Sequence, residues 1–111
     1  MQITTAVRRG VLIVNIAGEL DMHVADEFRK VVDDALEKTG VTNMLLNLEG
    51  VSFIDSSGLG VILGRYKKLN LLGGKMGAVQ LQPQVERIFE LSGLLKIMKL
   101  YATESDALER V

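Results

Sequence analysis

Cysteine is absent from this chain of 111 residues. That excludes disulfide bonds, a thiolate nucleophile and cysteine-ligated metal, and it fits a reducing compartment. Proline occurs once, and no low-complexity stretch, repeat or linker interrupts the pattern, so residues 1–111 are expected to fold as one domain. Neither sign of charge is in excess: 13 basic and 14 acidic residues leave a net charge of −1. A nucleic-acid partner would need a clustered basic surplus, so none is expected. The one short basic run, Arg65-Tyr66-Lys67-Lys68, reads as the solvated face of a helix. Apolar runs stay far short of the roughly 20 residues that span a bilayer. Met1-Gln2-Ile3-Thr4-Thr5 leads into a strand pattern and does not resemble a signal peptide. Together these absences predict a cytoplasmic protein without a membrane span. Aromatic residues are scarce at 5%, and the 5 methionines read as core filler.

What remains is an ordinary globular composition, 48% hydrophobic and 24% charged. Residues 2–7 read as an edge strand, with Arg8-Arg9-Gly10 turning into a β-branched buried strand over Val11–Ala17. Val24, Phe28, Val31, Val32 and Leu36 recur at helical spacing up to a stop at Gly40. Met44–Leu48 is a second buried strand, followed by a short loop and an apolar helix over Leu59–Leu72 that Gly73-Gly74 ends. Met76–Leu81 is a third core strand. Pro83 opens a helix with Val85, Ile88, Phe89 and Leu91 turned inward and Gly93 closing it. Ile97–Tyr101 can form a last strand and Thr103–Arg110 a last helix. Alternation of this kind predicts an α/β fold: a mixed, mostly parallel sheet of four to five strands with about four helices.

Two loops hold most of the chemistry. Glu19, Asp21 and His23 follow one strand, and Asp55, Ser56 and Ser57 follow the next. If those strands are neighbours, Asp21 and Ser56 share the carboxyl-end rim, where α/β proteins place functional loops. A helix N-terminus has unpartnered amides and a positive dipole end, so it takes a side-chain cap or a phosphate equally well. Asp55, Ser56 and Ser57 are therefore either plain helix starters or the site of a charge-based switch. Likewise Glu19-Leu20-Asp21 is either a functional loop or a charged cap for the helix near Val24, and Ser92-Gly93-Leu94 reads as a helix C-cap.

Enzymatic alternatives fit less well. Gly58-Leu59-Gly60 invites a dinucleotide reading, but Leu63 stands where the third glycine belongs, and Gly64 followed by Arg65 is no P-loop. The three glycines are expected to let the helix approach the sheet closely. A nucleophilic Ser56 would need a base, and His23 is the only histidine. Asp21 and Asp55 alone make a poor metal site, so neither metal nor cofactor is expected.

Gly18-Glu19-Leu20-Asp21, the segment from Phe53 to Lys67 around Asp55-Ser56-Ser57-Gly58-Leu59-Gly60, and Leu91-Ser92-Gly93-Leu94 together resemble the anti-sigma factor antagonists, small STAS-domain proteins. The resemblance covers almost the whole chain. It implies a mixed sheet with surrounding helices and a regulatory binding protein with no catalysis of its own. It also implies an anti-sigma factor partner that is itself a serine kinase, with the ATP or ADP held on that partner, and a PP2C-type phosphatase. By the same resemblance Ser56 is the phosphorylated residue, and Asp21, Asp55, Ser57, Gly58, Leu59 and Gly60 are partner contacts. Met22 departs from the pattern, since the position is often histidine in such proteins.

Overall fold

The computed structural model describes residues 2–110, in which five strands form one sheet in the order of the chain, β1-β2-β3-β4-β5. β1 (Gln2–Arg8) pairs antiparallel with β2 (Val11–Leu20). Arg9 and Gly10 alone make the turn, at φ 52° and 74°. Two successive positive φ values give a hairpin turn whose twist matches the strands, and glycine carries the second without cost. Arg8, expected in the turn, is the last residue of β1 and pairs with Val11.

From β2 onward every pairing is parallel. The connecting helices are α1 (Ala25–Thr39), α2 (Ser56–Leu71) and α3 (Pro83–Ser92), joining β3 (Asn43–Ile54), β4 (Met76–Val79) and β5 (Lys99–Tyr101). Strands added one after another in a single direction, by crossovers of one hand, place every crossover helix on the same face. Accordingly Phe28, Val32, Ile62, Leu69, Val85 and Phe89 share one core with Leu12, Val14, Leu46 and Ala78. The opposite face, Val11, Ile13, Leu45 and Val79, is covered by the short α4 (Glu104–Arg110) through Ala107. Five strands, four helices and a mixed sheet agree with the expected fold class.

Several local expectations change. β3 does not stop at Leu48; it runs on to Ile54, so no loop separates strand from helix at Asp55. The extension follows β2 through irregular register, Ala17 opposite Gly50 and Leu20 opposite Ile54. It is tied from the side by Gln82 Nε2, which donates to the Glu49 carbonyl at 2.7 Å, and by Gln84 Nε2 to that of Ser52 at 3.4 Å. α2 accordingly begins at Ser56, three residues before the expected start. Leu91 points outward, 75% exposed, because the inward stripe of α3 is completed by Val85 and Phe89. A 3₁₀ turn at Leu94–Lys96 follows the Gly93 cap, and Ser92 Oγ donates to the Phe89 carbonyl at 3.0 Å.

The basic run on α2 is only partly a solvated face. Tyr66 packs on the core and Arg65 keeps 12% of its side chain exposed. Arg65 Nε approaches Asp33 Oδ1 of α1 to 3.0 Å, with Lys68 Nζ at 3.5 Å from the same oxygen. The Arg65 contact is an ion pair without an aligned hydrogen bond. Close packing of α2 on the sheet also rests on fewer glycines than expected. A methyl group on Gly58 would sit 2.2 Å from the Leu20 carbonyl oxygen, whereas at Gly60 or Gly64 it would meet nothing within 4 Å. Only Gly58 is required by the packing.

Candidate functional site

β2 and β3 are parallel neighbours, so the residues that follow them, Asp21 and Asp55, emerge side by side at the carboxyl end of the sheet. Asp55 organises the corner. Its backbone is extended (φ −97°, ψ −174°), as an N-cap requires, and its amide donates to the Leu20 carbonyl at 3.3 Å. Oδ1 accepts from the Gly58 amide at 3.0 Å, capping α2, while Oδ2 accepts from the Met22 amide at 3.1 Å. One carboxylate thus binds both the helix start and the loop after β2.

Asp21 shapes that loop. Oδ1 accepts from the His23 amide at 2.9 Å, and its carbonyl oxygen accepts from Val24 at 3.2 Å and Ala25 at 3.0 Å. The expected cap of α1 therefore comes from the Asp21 backbone; its side chain closes the turn before the helix.

Ser56 is the first residue of α2, and it is exposed. Gly58 N–H is taken by the cap and Leu59 N–H by the Asp55 carbonyl at 3.0 Å. The amides of Ser56 and Ser57 then have no acceptor within the helix, and the dipole end is positive. An oxyanion on Ser56 would meet donors and a favourable field from its own helix. Ser57 is half-buried, Leu59 is half-buried against the core, and Gly60 is exposed. Gly58 is buried under Leu20, so its place is to seat the helix.

The structure therefore brings Asp21, Asp55, Ser56, Ser57 and Gly60 to one rim. His23 is exposed, and among the described residues neither its ring nor the Ser56 hydroxyl makes a side-chain hydrogen bond, so no base is poised on that hydroxyl. No helix among the described residues is long and apolar enough to cross a membrane. Two exposed apolar side chains of these segments received no role in the sequence reading: Met22, 69% exposed, and Phe53, 46% exposed. The available signal was the choice of aspartate at the cap, since a carboxylate supplies a second acceptor that a lone cap leaves idle.

A model of the STAS domain matches residues 2–107. The anti-sigma F factor antagonist of Paenibacillus polymyxa is 46% identical over 108 residues, which cover 97% of this chain and 92% of that protein. The protein of the same name from Lysinibacillus sphaericus is 37% identical, covering 95% and 89%. The anti-sigma-B factor antagonist of Staphylococcus aureus is 33% identical, covering 77% and 78%. Among solved structures, an anti-sigma factor antagonist from Mycobacterium paratuberculosis superposes with TM-score 0.88 at 30% identity, covering 99% and 92%. The anti-sigma factor antagonist SpoIIAA in its unphosphorylated form gives 0.76 at 29% identity, covering 98% and 96%. The phosphorylated form of the Bacillus protein also gives 0.76, at 33% identity and 98% coverage of both chains.

Proposed function

The chain belongs to the STAS-domain family, and from that premise we propose that it is an anti-sigma factor antagonist switched by phosphorylation of Ser56. In its unmodified form it binds, in the cytoplasm, an anti-sigma factor that is also a serine kinase, and so releases the sigma factor. The kinase holds the ATP, transfers phosphate to the Ser56 hydroxyl and so lowers its own affinity for this chain. A PP2C-type phosphatase restores the hydroxyl. The chain itself catalyses nothing in this cycle.

The observation that carries this reading is the position of Ser56: exposed, first in α2 and beside the Asp55 cap. A phosphate there adds roughly −1.5 to −2 charges. The helix end accommodates an anion, so the domain is expected to keep its fold. An unphosphorylated and a phosphorylated form of SpoIIAA both keep this fold, each superposing on this chain with TM-score 0.76. The penalty falls on the complex, where a partner surface fitted to a neutral hydroxyl meets a bulky dianion. A partner carboxylate about 7 Å from a doubly charged phosphate, at an effective dielectric near 40, repels it by roughly 2 kcal/mol. That lowers affinity on the order of 30-fold before steric overlap is added.

Intact-mass spectrometry after incubation with the kinase and ATP tests the assignment. One phosphate is expected, lost in Ser56→Ala while binding persists; a phosphate on Ser57 or Thr39 overturns it. A second wiring, in a general stress pathway, is favoured by the likeness to the S. aureus anti-sigma-B factor antagonist. Pull-down of the kinase with its sigma factor from the native cell separates the two.

A further inference from the structure

β1 closes one side of the sheet, paired with β2 along its inner edge. Along its outer edge, alternate residues turn their backbone N–H and C=O groups toward solvent. Sheet edges are commonly guarded by shortness, a proline, a charged side chain or a bulge. β5, the opposite edge, is three residues long and begins at Lys99. β1 has no such guard from Gln2 to Val7: the run holds no charge and no proline, and its register with β2 is unbroken.

The side chains of β1 are ordered to suit a second copy of the same strand. Antiparallel pairing about a two-fold axis at Thr5 sets Thr5 opposite Thr5, Thr4 opposite Ala6, Ile3 opposite Val7 and Gln2 opposite Arg8. Residues directly opposite share a face of the sheet. Ile3, Thr5 and Val7 lie on the helix-covered face, because they pair with Ile16, Val14 and Leu12 of the main core. Val7, 45% exposed, is then flanked by the Ile3 of the second copy. An axis at Thr4 or Ala6 sets Thr5 against Ile3 or Val7 and loses both apolar pairs.

α1 fits the same arrangement. It packs on β1 and β2 alike and against α2, and Asp33 marks its α2 side through Arg65. Val31, two positions earlier and so about 160° round the helix, is half-buried on the other flank, with Ala35 one turn on. Two-fold pairing at β1 sets the two α1 axes two strand spacings apart, roughly 10 Å. That is an ordinary packing distance for helices.

We propose that this chain forms a two-fold dimer by antiparallel pairing of β1 with the β1 of a second copy, centred on Thr5. The axis reverses strand direction, so the two Ser56 rims point to opposite ends of the dimer and both stay open. One strand and one helix flank make a small contact, so self-association is expected near about 0.1 mM protein.

Sedimentation equilibrium of the full chain from about 10 μM to 1 mM tests it, with circular dichroism melts to check folding. Thr5 is exposed, so Thr5→Lys and Thr5→Glu are expected to keep the fold. Each sets two like charges face to face and is expected to weaken self-association severalfold, while an equal mixture of the two associates more tightly than either alone. Val7→Lys removes both apolar pairs and is expected to weaken the dimer about tenfold or more. Leu91→Ala, a remote control at a side chain 75% exposed on α3, is expected to change nothing. A parent chain still monomeric at 1 mM overturns the dimer. A dimer that neither the Thr5 variants nor Val7→Lys weakens overturns this interface, and a Lys–Glu mixture no tighter than its components overturns the axis at Thr5.

Discussion

A side chain on Gly58 would collide with the backbone of Leu20: its first carbon would lie 2.2 Å from the Leu20 carbonyl oxygen and 2.9 Å from Ile54 Cγ2. The same carbonyl receives the Asp55 amide. The end of β2 and the start of α2 are thus in van der Waals contact, and Ser56 is placed by that contact.

Gly58→Ala is therefore expected to destabilise the fold by about 2–3 kcal/mol, since backbone, not a flexible side chain, must give way. Urea denaturation measures it. A cost below the gain of about 0.5–1 kcal/mol that alanine normally brings to a helix would show that the contact is loose.

Gly60 and Gly64 predict the opposite sign. Neither faces an atom within 4 Å of an added methyl group, and both lie inside α2. Gly60→Ala and Gly64→Ala should each stabilise the isolated chain by about 0.5–1 kcal/mol. Gly60 is exposed on the proposed docking rim, so the same substitution is expected to weaken affinity for the anti-sigma factor even as the melting temperature rises. A variant that is both more stable and fully binding would remove Gly60 from the contact surface.

These glycines show where sequence reading succeeds. Gly40 and Gly93 were legible as helix stops because a left-handed residue after an apolar periodic run has one common meaning, and both have positive φ. The alternation of strands with amphipathic helices was legible for the same local reason. The short loop expected after Leu48 is strand instead, because pairing with β2 and the reach of Gln82 and Gln84 override local preference. The acidic rim was visible as two loops, but the bond from Met22 to Asp55 joins residues 33 apart, and no local pattern encodes it. Arg65 looked solvated because its partner, Asp33, lies on another helix.

That pair supports a further prediction. Arg65 keeps 12% of its side chain exposed and Asp33 28%, with Lys68 at the same carboxylate oxygen. Asp33→Ala leaves two cations facing each other with no anion between them. The expected cost is about 1–3 kcal/mol, less than for a fully buried pair because solvent reaches both groups. Arg65→Met, which keeps the apolar stem and removes the charge, should cost under about 1 kcal/mol. A double-mutant cycle in urea checks both, and equal losses for the two single variants would argue that packing, not charge, joins α1 to α2.

Phosphorylation of Ser56 should separate stability from binding. Within the chain, the dianion gains the free amides and dipole of α2 but faces the Asp55 carboxylate, two effects of opposite sign and similar size, each about 0.5–2 kcal/mol. The thermal midpoint of the phosphorylated chain is therefore expected within about 5 °C of the unmodified one, while affinity for the anti-sigma factor falls by at least the order of 30-fold that repulsion supplies. Salt distinguishes the two sources of that loss. Screening shortens the Debye length from about 8 Å at physiological ionic strength to about 3 Å at 1 M, so charge repulsion across roughly 7 Å fades while steric overlap does not. Titrations at rising salt should shrink the gap between the phosphorylated and unmodified chains severalfold and then reach a floor set by the bulk of the phosphate. A gap that does not move with salt would mean that shape, and not charge across the interface, makes the switch.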